Sequence, residues 1–301
     1  MNKENIYKQL TKEIPNSKVY INEPMKNHTS FKIGGIADIY IKAKTVEDIK
    51  YILNYVKNEQ IKLTIVGNGS NILVKDGGIR GITMQIDLDG IHINEETVKV
   101  GAGVKLATLG IALKKEELTG FEFAAGIPGS IGGAVRMNAG AYGGEFSDIV
   151  EKVTCITPEG IVKELEKEEL QYSYRHSRFV DTNEIILYAT LKLEKGNEIE
   201  IKNKMDELML ARKTKQPLEL PSAGSTFKRG ADFYASKIIE EAGLKGFKIG
   251  GAQVSEKHSG FVVNVDNATA KDVLELTQYM KKVVYEKFGK ELELEVEIIG
   301  E

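Results

Sequence analysis

The sequence predicts an α+β fold in two parts. Short apolar and alternating runs outnumber helical stripes up to about residue 196, and a compact helix–strand unit follows. Pro217 and Pro221 bracket the passage between them. Ile6, Leu10 and Ile14 repeat on one helical face that stops at Pro15. Ile36–Ala43 alternates as a strand, and Thr45 is an N-cap for the next helix, with Asp48 at its third position and Ile49, Ile52, Leu53 and Val56 on one face. Residues 62–66 form a short apolar strand that runs straight into Gly67-Asn68-Gly69-Ser70-Asn71. Strands are expected at 72–74, 79–86 and 98–100, then a helix at 106–113, then the glycine-dense stretch 126–144. Pro158-Glu159-Gly160 reads as the turn of a hairpin between 149–157 and 161–165, followed by a strand at 185–193. A charged helix at 198–213 precedes the linker. Beyond it lie helices at 236–242 and 270–288 and strands at 252–255, 260–265 and 291–299.

Composition narrows the function classes. The chain has 301 residues with 41 Lys+Arg against 44 Asp+Glu, and a net charge of -3 gives no global field toward nucleic acid or an anionic membrane. The single cysteine, Cys155, rules out an internal disulfide framework. The start is polar and no apolar run approaches the roughly 20 residues of a spanning helix, so a soluble cytoplasmic protein without membrane insertion is expected. Four histidines and one cysteine show no metal-ligand spacing, so no metal site is expected. The unusual feature is 30 Gly against 6 Pro and no Trp. Glycine clusters mark places where backbone approaches something closely.

Two loops have the character of an anion nest, in which successive backbone N–H groups cradle phosphate oxygens. They are Gly67–Asn71 and Gly126-Ile127-Pro128-Gly129-Ser130-Ile131-Gly132-Gly133. Neither carries a G-x-G-x-x-G or a G-x-x-x-x-G-K-[ST] spacing, which disfavours a doubly wound dinucleotide fold and a P-loop. Taken singly, each loop reads equally as a tight turn at the end of a sheet. Two such loops in one domain favour a pyrophosphate-bearing ligand.

Three polar runs could carry chemistry. Tyr172-Ser173-Tyr174-Arg175-His176-Ser177-Arg178-Phe179 offers two arginines able to clamp a carboxylate or phosphate, or a surface loop with stacked aromatics. Ser222-Ala223-Gly224-Ser225-Thr226-Phe227-Lys228 sets hydroxyls near a cation, or caps a helix. In Glu291-Leu292-Glu293-Leu294-Glu295-Val296-Glu297 strict alternation puts four carboxylates on one strand face, and the pattern does not single out any one of them.

In order and spacing, Asn27-His28-Thr29-Ser30-Phe31-Lys32-Ile33-Gly34-Gly35, the Gly67–Asn71 loop, and Gly126–Gly133 with Met137-Asn138-Ala139-Gly140-Ala141-Tyr142-Gly143 resemble the UDP-N-acetylenolpyruvoylglucosamine reductase family. The resemblance runs from about residue 27 to 300. It implies an FAD-binding domain of the vanillyl-alcohol-oxidase (PCMH) type at 30–196, after a lead-in at 1–29, and a C-terminal α/β substrate-binding domain at 197–301. It implies FAD held non-covalently by Gly67, Asn68, Gly69, Ser70, Asn71, Gly126, Ile127, Pro128, Gly129, Ser130, Gly133, Asn138, Gly140 and Ala141, so that His28 is not a covalent tether. NADPH is the implied co-substrate and a UDP-sugar enolpyruvyl ether the implied substrate, contacted by Tyr142, Arg178 and Lys228. Arg175, Ser225 and Glu295 are the implied catalytic residues, Ser225 as proton donor. The sequence departs from the family at Leu294 and Glu297, where Pro and Arg are usual. Residues 193–196 pass directly toward the 198–213 helix, which resembles the shorter subtype lacking a tyrosine-bearing loop. Two other readings use the same residues: an oxygen-using flavin oxidase, and a nucleotide-binding scaffold without catalysis. Flavin colour separates the scaffold from both enzymes.

Overall fold

A computed structural model of the chain describes residues 2–301, so Met1 of the 1–29 lead-in lies outside it. The chain forms two compact units, neither of them a continuous stretch. The first takes the chain up to Ile21, Ile39–Asn68 and Gly81–Ala211; the second takes Asn22–Asp38, Gly69–Arg80 and Arg212–Glu301.

Most strand residues of the first unit lie in two sheets. Leu63–Val66 runs parallel to Ile79–Ile86, and Ile36–Ala43 and Lys18–Pro24 complete that four-stranded sheet. The second sheet has five antiparallel strands in the order Val162–Glu166, Val150–Ile156, Ile185–Lys192, Thr97–Gly101, Ile91–Asn94. The helix Val46–Asn58 begins where its cap was expected, with the Thr45 side chain accepting the Asp48 N–H at 3.1 Å. Ile49, Ile52, Leu53 and Val56 are buried on its inner face, in a core that also holds Leu106, Leu109, Leu113, Ile131, Val153, Leu187 and Leu191. Burying such aliphatic side chains is worth roughly 1.5–3 kcal/mol each, which fixes the helices on the sheets.

The second unit is built on the helix Ala270–Phe288. A capping box between Thr269 and Asp272 starts it, and Gly289 stops it in the left-handed conformation at φ 64°. Val273, Leu276, Met280 and Val284 form its buried stripe against Ala252, Val254 and Val262 of a small antiparallel sheet.

The interleaving of the units differs from the continuous division at 30–196 and 197–301, and strand pairing is the reason. Ile72–Val74 lies parallel to Glu297–Ile299, with Ile72 opposite Glu297. Phe31, Ile33 and Leu73 are buried in the same core as Phe227, Leu276 and Val296. These early segments therefore fold with the C-terminal residues. The expected single strand at 291–299 is also divided. Leu294 bridges antiparallel to Phe227, and the chain then changes partner so that only Glu297–Ile299 joins Ile72–Val74. The alternation nonetheless survives in burial, with Leu292 and Val296 inside and Glu291, Glu293 and Glu297 exposed. A short helix not expected from the glycine-rich stretch, Ile131–Arg136, follows Ser130 as its N-cap.

Candidate active site

In the first unit the two predicted glycine loops face each other. The strand Leu63–Val66 delivers Gly67 onto the loop before the Ile131–Arg136 helix, where a Cβ on Gly67 would sit 3.1 Å from Ser130 Oγ and 3.8 Å from Gly133 Cα. That hydroxyl is buried and makes no hydrogen bond to protein. A buried unpartnered hydroxyl ordinarily costs 1–3 kcal/mol, so one lying between two glycine loops points to a ligand that supplies the missing partner. The loop is held from behind: the Leu106 N–H donates to the Gly129 carbonyl at 3.2 Å, and the Ile131 N–H to the Val104 carbonyl at 2.9 Å.

Two tight turns of the same unit carry strained non-glycine residues. Gly140–Ala141 and Gly144–Glu145 pair as a hairpin whose two loop residues, Tyr142 and Gly143, both have positive φ, 54° and 89°. Ser173 and His176 exchange backbone hydrogen bonds at 3.1 Å, leaving Tyr174 and Arg175 at the tip, with Arg175 at φ 56°. Left-handed φ costs an L-residue roughly 1–2 kcal/mol, and such strain clusters at functional sites. The Arg175 guanidinium donates to the Gly140 carbonyl at 3.1 Å and lies 5.1 Å over the Tyr174 ring, so it is anchored beside the Tyr142 hairpin.

Arg178 goes elsewhere. Its Nε and Nη2 fork onto Glu184 at 3.1 and 3.3 Å, and Lys163 pairs with the same carboxylate. Burial alone would raise the Glu184 carboxyl, but Lys163 and Arg178 outweigh it and hold the group below the ordinary carboxylate range. Arg178, expected as a substrate contact, makes this fork with Glu184 and donates from Nη1 to the Glu169 carbonyl at 3.3 Å. Asn138 is fully buried, with Oδ1 accepting from the Ser147 N–H at 2.8 Å and one Nδ2 N–H donating to the Ser173 carbonyl at 3.1 Å.

In the second unit, Ser225, Lys228 and Glu295 share one short backbone ladder. Glu295 N–H donates to the Thr226 carbonyl at 2.9 Å and Lys228 N–H to the Glu293 carbonyl at 2.8 Å, on either side of the Phe227–Leu294 bridge. Ser225, one residue before Thr226 and just after Gly224 at φ 77°, is half-buried, as is Glu295. The Lys228 ammonium is paired with the exposed Glu293 carboxylate. The remainder of the first glycine loop belongs to this unit. Gly69, at φ 66°, packs against the His28 carbonyl, and His28 Nε2 lies 2.8 Å from Glu23 Oε1, the imidazole engaged as a hydrogen-bonding group. Asn71 Nδ2 donates to the Glu295 carbonyl at 3.0 Å.

Residues 37–166 match an FAD-binding domain, and residues 216–299 match the C-terminal domain of UDP-N-acetylenolpyruvoylglucosamine reductase. A UDP-N-acetylenolpyruvoylglucosamine reductase of Clostridioides difficile is 50% identical over 303 residues, covering 100% of both chains. The chain belongs to the UDP-N-acetylenolpyruvoylglucosamine reductase family. A reductase of the same name from Caldanaerobacter subterraneus is 49% identical over 98% of this chain and 97% of its own. The crystal structure of the Thermus caldophilus reductase superposes with a TM-score of 0.80 at 34% identity, over 94% of this chain and 99% of that one. A Physcomitrella patens BBE-like protein shares the fold of 63% of this chain at TM-score 0.51 and 17% identity, and spans 44% of that chain. As a member of this reductase family the chain is a flavin-type oxidoreductase with an FAD-binding domain of the PCMH type and a second α+β unit.

The first unit's residues fit such a cofactor: facing glycine loops exclude side chains, and the Ser130 hydroxyl awaits an acceptor or donor. Leu193 leads through Glu194–Lys195 directly into the helix Glu198–Lys215. Sequence reasoning missed Ser30 and Thr226. Ser30 Oγ donates to the Ser222 carbonyl at 2.7 Å, and the buried Thr226 Oγ1 accepts from the Val262 N–H at 2.9 Å. Both lie inside quoted motifs, but their partners are distant in sequence. No helix among the described residues is long and apolar enough to cross a membrane.

Proposed function

We propose that the chain reduces the enolpyruvyl ether of UDP-N-acetylglucosamine to UDP-N-acetylmuramate, with NADPH as co-substrate. The observation that carries this reading is the Phe227–Leu294 bridge, whose flanking bond from the Glu295 N–H to the Thr226 carbonyl sets Glu295 against the residue next to Ser225, beside Asn71 of a glycine loop. Gly67, Asn68, Gly126, Ile127, Pro128, Gly129, Ser130 and Gly133 would hold the FAD diphosphate and ribityl chain, continued by Gly69 and Ser70, with Gly140 and Ala141 at a hairpin edge. Bound FAD supplies hydride transfer, from NADPH to C3 of the enolpyruvyl group.

The residues of the chain handle charge and protons. Hydride arriving at C3 leaves negative charge at C2, delocalised into the substrate carboxylate. Arg175, fixed by the Gly140 carbonyl and the Tyr174 ring, is preorganised positive charge of the kind worth a few kcal/mol per well-aimed donor. Ser225 Oγ delivers the proton to C2 and is reprotonated from solvent, and Glu295, carrying its own proton, donates a hydrogen bond to the same developing charge. Lys228, paired with Glu293, and the exposed Tyr142 are the substrate contacts in this reading.

The test is stopped-flow absorbance of the flavin in two half-reactions. Ser225→Ala leaves reduction by NADPH within about twofold of wild type and slows reoxidation by the enolpyruvyl substrate by about 10²-fold or more, the scale of general acid catalysis. Equal slowing of both steps, or reoxidation by dioxygen as fast as by the substrate, overturns the assignment.

A further inference from the structure

Asn71 and Asn138 both lie in motifs that the family resemblance gives to the cofactor, and in the folded chain their amides bond to protein. Asn138 is fully buried at φ 46°, a left-handed conformation that asparagine tolerates better than most side chains. Its Nδ2 holds the carbonyl of Ser173, the first residue of the turn that carries Arg175 at its tip. On the other side of that turn Ser177 Oγ donates to the Arg136 carbonyl at 2.6 Å. The turn is therefore tied on one side to Asn138, just after the Ile131–Arg136 helix, and on the other to that helix's last residue.

The second unit repeats the device. Asn71 Nδ2 holds the carbonyl of Glu295 itself, while the Asn71 carbonyl accepts the Glu297 N–H at 3.0 Å. Two bonds, one from side chain and one from backbone, thus bracket Glu295 and fix its peptide plane. The same glycine loop is tied to the proton-donor turn by Ser30, whose N–H donates to the Gly69 carbonyl at 3.0 Å and whose Oγ donates to the Ser222 carbonyl. A charged side chain displaced by 1 Å from its productive geometry loses much of its electrostatic advantage. Glu295 sits on a segment that changes strand partner, and Arg175 sits on a strained two-residue tip. Neither lies in regular sheet, and the asparagine bonds add to the hold of the Thr226 carbonyl on the Glu295 N–H and of the Gly140 carbonyl on Arg175.

We infer that Asn71 and Asn138 are positioning residues, each fixing through a single side-chain N–H the peptide carbonyl that directs one catalytic side chain, Glu295 in one case and Arg175 in the other. The inference rests on the proposed roles of those two residues. It makes the asparagines supports of the step at the substrate rather than cofactor ligands.

The isosteric substitutions Asn71→Asp and Asn138→Asp test it, since each keeps the shape and the acceptor and removes the donor. Three measurements are compared on reconstituted enzyme: FAD dissociation constant by flavin fluorescence, flavin reduction by NADPH, and flavin reoxidation by the enolpyruvyl substrate. The expected result is FAD affinity and reduction within about threefold of wild type, with reoxidation slowed at least tenfold in each variant. Asn71→Ser and Asn138→Ser, smaller and without added charge, give the same comparison if an aspartate variant does not fold. A loss of FAD affinity with both half-reactions slowed alike assigns the asparagines to the cofactor and overturns the inference, as does an unchanged reoxidation rate. Ser225→Ala is run alongside: if it too leaves reoxidation unchanged, the proposed function falls, whereas slow Ser225→Ala with normal asparagine variants removes the positioning role alone.

Discussion

Gly69→Ala is the substitution whose cost can be worked most directly from the structure. A Cβ at residue 69 would lie 1.9 Å from the His28 carbonyl oxygen and 3.1 Å from Thr29 Cα. Reaching even 3.0 Å, below which real Cβ contacts are essentially absent, requires the loop and the His28 peptide to separate by about 1.1 Å. That movement breaks the 3.0 Å bond from Ser30 N–H to the Gly69 carbonyl, worth about 1 kcal/mol. The left-handed φ of 66° adds roughly 1 kcal/mol for any side chain, and residual overpacking adds about 1–2 kcal/mol. The expected destabilisation is about 3–4 kcal/mol, a fall of roughly 6–16 °C in melting temperature at about 2–4 °C per kcal/mol. Gly160→Ala is the control: φ is 85°, but nothing lies within 4 Å of its Cβ, so only the conformational cost of about 1 kcal/mol remains. Circular dichroism melts of both variants, with flavin release followed in parallel, make the comparison. Equal, small shifts of 2–3 °C in the two variants would refute the reasoning that the Gly69 loop is locked against the His28 backbone.

Glu184→Gln leaves Lys163 and Arg178 without their carboxylate and should cost about 2 kcal/mol at pH 7, read by urea unfolding. Because the folded-state pKa of Glu184 is held below its unfolded value, its contribution is present above the ordinary carboxylate range and is lost as pH falls through the folded pKa. The gap between wild type and variant should therefore close on acidification, and a gap that widens toward pH 3 contradicts the fork. Cys155 is fully buried, and burial, with the Glu184 charge adding, pushes its thiol up to about 11. A thiol reagent at pH 8 should titrate no thiol in the native protein and one in denaturant; rapid stoichiometric labelling of the native form would show that the strand Val150–Ile156 opens locally.

Local rules settled the longer helices and missed short ones such as Ile131–Arg136. Thr45 with Asp48, and Thr269 with Asp272 and Gly289, state their own boundaries because a cap is a contact between residues three or four apart. The glycine loops were legible for a similar reason, since dense glycine excludes side chains whatever the fold around it. The pairing of Ile72–Val74 with Glu297–Ile299 was not legible, because a three-residue strand carries no signal of a partner more than two hundred positions away. The same distance hid the second end of Ser30, whose acceptor is 192 residues on.

What the sequence by itself determined, then, was the family, from its motifs in order, and the α+β fold class. Only the tertiary structure decided which partners the residues of those motifs take. Arg175 and Arg178 are three positions apart in one motif, yet the first bonds the Gly140 carbonyl from a strained tip while the second forks onto Glu184. Asn138 sits in a glycine-rich motif and bonds Ser147 and Ser173. The physical reason is that a polar side chain is satisfied by whatever the fold brings within about 3 Å of it, and those partners come from other parts of the chain.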